Sequence, residues 1–485
     1  MATFRFIGPT YQGRSLTIDS ERTVNLYPEI VDGGNTGKNN IVLLKAPGLL
    51  TSYDLSGFGA SRVVGLFFLN GRTWAVMQIG PNCGLFELHP DGSVTGLSAV
   101  ISAPPANAQV QIAANNNNQI LILSQPNGYI YNTVTETVFQ ITADGWLGGS
   151  SVAFLDGYFV VSKPNSNVFF WSAINDGLQW DPLDFEAVTG GPDNLVRIAA
   201  DHRELWMFCE EHTEIYYDSG DADNPFQRIA GAYIQQGCAA QGSVVELDNT
   251  LFWIGNNGDG SSVLWRANGY IPQRVSSHGV EFAWQQYSTV ADAVAFAYQD
   301  AGHLFYVVSF PTADATWVYD VSTQMWHERG SWNSGTGKYS ASKGRTHCFS
   351  LGTHFVGDYQ SPKIYAMSTR FYTDAGDSIR WLRAAPHITN EMKRTFYSQF
   401  ILDMQVGIGD TTVIDPQVIL QWSDDGGNTW GNELQASAGP AGAFKTLVSW
   451  RRLGYARDRV FRVIGSDAVP IVIANAYLET QAGTS

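Results

Sequence analysis

The sequence predicts an all-β protein: a β-propeller of six or seven four-stranded blades, followed by a β-sandwich-like domain that carries an Asp-box. Three observations predict it. One stretch of 33 residues reads as four short strands joined by tight turns, that unit recurs along the chain, and the pattern changes after residue 378.

The stretch is Ser243–Val275, read as SVVEL–DN–TLFWIG–NNGDGS–SVLWRA–NG–YIPQRV. Runs of five or six residues rich in Val, Ile, Leu, Phe and Trp between turn signals are strands, not helices. Asn268-Gly269 reads as a tight-hairpin dipeptide with φ > 0 at both central residues. Four consecutive strands joined this way form an antiparallel meander the size of one propeller blade. Looser copies begin near residues 63, 110, 151, 195, 293 and 338, so the spacing is 41–50 residues. An antiparallel sandwich with irregular hairpins competes with this reading, and no WD or kelch signature decides between them. The period favours the propeller.

Composition bounds the class. The chain has 485 residues, is 13% aromatic and 44% hydrophobic, and only 15% charged, which is a globular composition. No apolar run is long enough to cross a membrane. The N-terminus lacks the basic-then-apolar pattern of a secretory signal, so folding in a cytoplasm is expected. Cys83, Cys209, Cys238 and Cys348 are scattered without a CxxC pair. The expectation is four free thiols, neither a disulfide framework nor a zinc site.

Net charge is −16, and residues 379–485 hold 10 basic and 10 acidic residues, so the whole excess lies in 1–378. Such a surface repels phosphates and has no counterion-release drive toward nucleic acid. It serves solubility, or, where DNA passes it, acts as a wall that does not stick.

In chain order, residues 1–50 read as an extended arm punctuated by Gly, Asn and Pro, and 51–378 as the propeller. Residues 231–242 and 276–292 read as blade connections. Within the second, Glu281–Tyr287 (EFAWQQY) reads equally as a short helix or as a loop carrying buried aromatics. Residues 373–394 break the blade pattern as a crossover. Alternating apolar and polar positions over 395–480 then suggest a small sandwich, within a domain spanning 379–485.

Ser423-Asp-Asp-Gly-Gly-Asn-Thr-Trp430 fits S-x-D-x-G-x-T-W, the Asp-box, which resembles a hairpin turn of sialidases and related β-proteins. The expected roles are local. Asp425 accepts from backbone N–H groups across the turn, Gly426 and Gly427 supply positive φ, and Trp430 folds back on the hairpin. Ser423, Asp425, Gly427, Thr429 and Trp430 are therefore assigned to a structural turn. A glycosidase would need two carboxylates about 5–10 Å apart. Asp201, Glu210, Glu211 and Glu214 are candidates, but none lies in a recognisable motif. The many aromatics could line a sugar groove, although blade core is their commoner use. His202 and His212 flank a hairpin and could hold a metal, with turn surface the favoured reading. There is no phosphate-cradling loop, no Ser-His-Asp signature, no HExxH and no EF-hand. No catalytic, cofactor-binding or metal residue is assigned, and no enzyme activity is expected.

Arg22-Thr-Val-Asn-Leu-Tyr-Pro-Glu29, followed after a polar loop by Leu44-Lys-Ala-Pro-Gly-Leu49, resembles the opening of the packaged-DNA stabilisation proteins of short-tailed bacteriophages, the tail hub or nozzle family. Further similar stretches keep the family's order: Phe170-Trp171-Ser172 with Trp180-Asp181-Pro182, Trp206–Tyr217, Gln235–Ala239, and Trp450–Gly454 with Arg457 and Arg459. Cys209 and Glu210 depart from the small residues commoner at their positions. The resemblance implies a structural virion protein in the phage tail, assembled in the host cytoplasm. It implies a homohexamer docked to the portal-adaptor ring and bearing distal needle, spike or fibre proteins, which retains packaged DNA and conducts it during ejection. A carbohydrate-binding or glycan-hydrolysing propeller is the alternative.

Overall fold

In the computed structural model, residues 2–31, 40–256 and 262–483 are described. Most of the NNGDGS turn signal and of the arm's polar loop therefore lies outside the described residues. Seven four-stranded blades surround one axis. Blade 1 consists of Arg62–Leu69, Arg72–Ile79, Asn82–Leu88 and Val94–Ser102. Blades 2 to 6 start with Gln111–Ala114, Ser151–Leu155, Leu195–Asp201, Val245–Leu247 and Val294–Asp300, and blade 7 with Gly344–Ser350. The count is thus the higher of the two expected.

Local chemistry explains why the unit repeats. In six blades the first two strands are joined by two residues that both have positive φ: Asn70-Gly71, Asp156-Gly157, His202-Arg203, Asp248-Asn249, Ala301-Gly302 and Leu351-Gly352. Mirror-image turns of this kind match the strand twist, so the hairpin closes without splaying. The Asn268-Gly269 turn differs from expectation. Asn268 stays in its strand opposite Ile271, and the loop is Gly269-Tyr270, with positive φ (55°) at Gly269 alone. Glycine at the first central position suits the other hairpin turn type. The shift lets the Tyr270 hydroxyl donate to Glu204 Oε1 at 2.6 Å, tying blade 5 to blade 4.

Buried aromatics fill the spaces between blades. Trp74, Trp253, Trp284 and Tyr306 are fully enclosed. Residues His278–Gln285 form a helix, capped by the Ser277 side chain, which accepts from the Val280 N–H. Val280 and Trp284 face inward from it onto the core between blades 5 and 6. That apolar face decides for a helix over the alternative loop.

Residues 1–50, expected to be an arm outside the propeller, are woven into three sheets. Gly48–Asp54 is the fourth strand of blade 7, antiparallel to Lys363–Ser368, and closes the ring. Gly48 packs against the chain's own backbone: a Cβ there would lie 2.4 Å from the Phe371 carbonyl oxygen. Leu26–Ile30 and Ile41–Lys45 extend one sheet of the sandwich, beside Val472–Ala482, Thr395–Met404 and Val448–Arg451. Facing it, Trp381–Ala384, Asp458–Gly465, Gln417–Ser423 and Leu434–Ser437 form the other sheet. Phe6, Leu26, Leu43, Phe400, Trp450, Phe461 and Ile473 share the core between them.

Strand Ser20–Val24 joins the two domains. It pairs in parallel with the last strand of blade 6 (Val24 opposite Glu328) and antiparallel with Trp381–Ala384 of the sandwich. Beneath it the fully buried Arg383 donates to the Phe6 and Pro9 carbonyls, to Thr23 Oγ1 and to the Glu21 carboxylate. Arg22 makes a two-pronged pair with Glu328 of blade 6, at 2.9 and 2.6 Å. Breaking a buried pair leaves an uncompensated charge, at a cost of about 3–5 kcal/mol. Arg383→Leu should therefore lower the denaturation free energy by about that much. Adding Glu21→Leu should recover part of the loss, as read from urea midpoints of the two variants.

Candidate functional site

A cavity of about 530 Å³ lies on the propeller axis, at the end where the first strands begin. Gln109, Gln111, Arg197, Gln241, Asp292, Arg345 and His347 contribute its polar lining. Arg197 donates to Gln111 Oε1, and the Arg345 guanidinium lies 3.3 Å from the centre of the Tyr359 ring. Among the described residues, neither arginine forms an ion pair, and the Nε of each is buried without a partner. Burial holds both guanidinium groups below their ordinary pKa, Arg197 at about 10. Sequence reading missed both. The available signal was a lone charge inside an apolar inner strand, as in LVRIAA.

The cavity does not have a glycosidase's chemistry. Among the described residues it is lined by one carboxylate, Asp292. The acidic candidates lie elsewhere. Asp201 pairs with His202 at a hairpin tip, Glu210 and Glu211 sit on the next turn, and Glu214 is fully buried beside His212 and Arg228. His202 is an exposed turn residue, as the favoured reading had it. His212 is not: it is 3% exposed. All four cysteines are free and buried.

The five Asp-box residues meet in one turn. Ser423 Oγ donates to Asp425 Oδ1 at 2.6 Å and accepts from the Gly427 N–H at 2.8 Å. Asp425 also accepts from the Thr429 N–H (2.9 Å) and hydroxyl (2.6 Å). These donors hold its carboxyl low, at about 2. Gly426 and Gly427 have φ of 75° and 100°. Trp430 lies under the Arg462 guanidinium, 3.9 Å from its ring centre. The neighbouring Asp424 accepts both prongs of Arg459, itself 2% exposed. Gly426 packs near His387 and the Leu16 carbonyl, and Gly427 near Ser20, so the turn lies against the N-terminal arm.

The arm motif forms a second lock. Asn25 takes positive φ (54°), and its side chain bonds Gly330 through both its oxygen and its nitrogen and also the Arg380 carbonyl. It thereby fastens the end of blade 6 to the crossover. Lys45 is buried, with its ammonium donating to the carbonyls of Tyr372, Asp467 and Val469; burial lowers its pKa to about 8. Lys45 and Asn25 stand in the sequence motifs VN and LLKAPG, whose content looked modest because their partners are more than 300 residues away.

A family model described as Bacteriophage P22 Gp10, beta-propeller matches residues 20–372, and a second, described as Bacteriophage P22 Gp10, beta-sandwich, matches 380–481. The chain belongs to the phage P22 Gp10 family. Gp10-family membership makes it a structural protein of a phage tail, of the kind that stabilises packaged DNA and associates with other virion proteins. It is all-β, with propeller and sandwich in the order expected. No curated protein sequence matches the chain. Similar solved structures include the WD40 domain of Neurospora crassa Pan2, at 10% identity and TM-score 0.39, covering 64% of this chain and 90% of that one. Two structures of the extracellular domain of BT4673 from B. thetaiotaomicron match at 10% and 11% identity, with TM-scores of 0.43 and 0.42. They cover 86% and 93% of this chain, which spans 57% and 62% of theirs.

The Gp10-type ring carries a pH liability at its closure. His347, on the inner strand of blade 7, is half-buried, stacked on Phe296 and bonded to His354, which itself meets the Gln299 carbonyl. Burial depresses its pKa to about 3, and burial also lowers those of His354 and His327. A histidine lowered below its unfolded value contributes fully above pH 6.5. As pH falls below that, the unfolded chain takes up a proton that the fold refuses. Stability should decline between pH 6.5 and 3, by up to about 1.4 kcal/mol per pH unit for each such group. His347→Gln should flatten that decline in denaturation curves recorded across the range.

Proposed function

We propose that this chain is the hub of a short-tailed phage tail: a homohexameric ring below the portal-adaptor ring that carries distal needle, spike or fibre proteins. The ring extends the channel, retains packaged DNA and conducts it during ejection. The observation that carries the reading is the match of both domains, in order, to one packaged-DNA stabilisation family. Two physical features support it. A subunit whose domains share a strand acts as one stiff wedge, and stiff wedges around a closed axis make a tube. The acidic excess in residues 1–378 suits a wall that a polyanion must slide past without counterion-release binding.

In this reading the chain divides into an arm, a propeller and a sandwich near the expected bounds of 1–50, 51–378 and 379–485, with the arm fastening the other two and its last residues, from Gly48, already in the closing strand of blade 7. The Asp-box turn is structural: it presents Asp424 to Arg459 and packs on the arm. The chain is a structural protein and not an enzyme.

Light scattering on the purified protein, with and without its adaptor ring, tests the assembly. A hexamer, or a monomer that becomes six-fold only on the ring, is the expected result. A monomer indifferent to the ring but retained on a glycan column would overturn it in favour of the carbohydrate-binding alternative.

A further inference from the structure

The turn between the second and third strands of blade 4 brings three different metal-ligand donors together. Glu204–Cys209 and Thr213–Asp218 are joined through Glu210, Glu211 and His212, and the Cys209 N–H donates to the His212 carbonyl at 2.8 Å. That tight turn places the thiol and the imidazole, three residues apart, at the same end of the hairpin. The third donor comes from the linker that enters blade 4. Glu210 N–H donates to the Asn194 carbonyl, and Glu211 N–H to Asp193 Oδ2 at 2.7 Å. The other carboxylate oxygen, Oδ1, is thereby turned toward His212 Nδ1, 2.8 Å away. One donor atom each from Asp193, Cys209 and His212 lies within 4.8 Å of both others. Cys209 is fully buried, His212 is 3% exposed and the Asp193 side chain 8%.

We propose that Asp193, Cys209 and His212 form a metal site of the zinc class, with Glu214 as the carboxylate behind the histidine. Sulfur, nitrogen and oxygen donors in one buried pocket suit a borderline-soft divalent ion. Bond lengths of about 2.0–2.3 Å put tetrahedral ligands roughly 3.3–3.8 Å apart, so the Asp193–His212 contact opens by about half an ångström on binding. The ion takes the histidine through Nδ1, and the thiol proton leaves to solvent. The fourth position is left to water.

Two further observations point the same way. His212 Nε2 and Glu214 Oε1, both buried, stand 3.4 Å apart, with the Gly190 backbone N–H the other group close to that carboxylate. Metal on Nδ1 fixes the proton on Nε2, and a carboxylate is the usual acceptor for it. Space is also kept free at the site. Gly190 and Gly191 cover it without positive φ, yet a Cβ on Gly191 would lie 2.6 Å from Asp193 Oδ1 and 2.9 Å from His212 Nδ1. One on Gly190 would lie 1.9 Å from Glu214 Oε1. Glycine is required here for room, not for backbone conformation. A metal-free imidazolium held between two carboxylates is the competing arrangement. It uses Asp193 and Glu214 but gives the Cys209 thiol no part.

Cobalt(II), a spectroscopic stand-in for zinc, separates the two. The chelator-treated full-length chain should bind one cobalt per chain with a thiolate-to-cobalt charge-transfer band, and zinc should displace it and raise Tm. Cys209→Ser should lose the band, and Cys238→Ser, a buried thiol outside the cluster, should keep it. Asp193→Asn lies on a half-buried linker and leaves the hairpin intact; it should weaken cobalt binding at least tenfold, which keeps the test open should C209S fail to fold. Glu214→Gln should retain the band with roughly 10–100-fold lower affinity. No band at equimolar cobalt, or a band that survives in C209S, would overturn the site.

Discussion

The structure depends on one five-residue strand. Ser20–Val24 meets blade 6 at Val24, pairs with Tyr11–Gln12 of the arm at Ser20 and Glu21, and lies antiparallel to Trp381–Ala384 of the sandwich, so it is fully paired only when both domains are in place. Arg383 makes the requirement stricter. A fully buried guanidinium is costly to desolvate, and here it is compensated by Glu21, Thr23 and two carbonyls, all supplied by residues 6–23. Removing the arm would leave that charge bare under the sandwich sheet.

The same segment closes the propeller. A ring of blades has a weak point where its ends meet, and here strand Gly48–Asp54 crosses it. The chain runs from the interdomain strand, through the sandwich edge, to the closing strand within residues 20–54. Ring closure and domain docking are thus completed by contiguous sequence. The buried lysine and asparagine of this segment bond the crossover and the end of blade 6, so the junction is fixed by specific polar bonds as well as by apolar packing.

Much of the fold was legible because its cause is local. The strand runs around Asp156-Gly157 carry both the short apolar pattern and the turn chemistry, and both survive in the structure. The Asp-box was legible for the same reason, since every hydrogen bond within it spans at most four residues. What stayed hidden is non-local. Nothing near Val24 says that it will lie opposite Glu328, and nothing near Arg197 says that six other inner strands will enclose it with Arg345. The Gly269-Tyr270 turn shows the limit at short range as well, where a bond to Glu204 in the neighbouring blade accompanies a register one residue from the dipeptide signal. His212 was read as turn surface because its partners, Asp193 and the glycine pair, reach it from the linker that enters its blade.

Hydrogen exchange along the arm tests the central claim most directly. If Ser20–Val24 is a strand shared by both domains, its amides should be as protected as those of Met325–Arg329 and Asp458–Gly465, and should open only when the whole chain unfolds. Exchange orders of magnitude faster than those strands, with both domains still protected, would contradict the account and reduce the arm to an ornament of two independently stable domains.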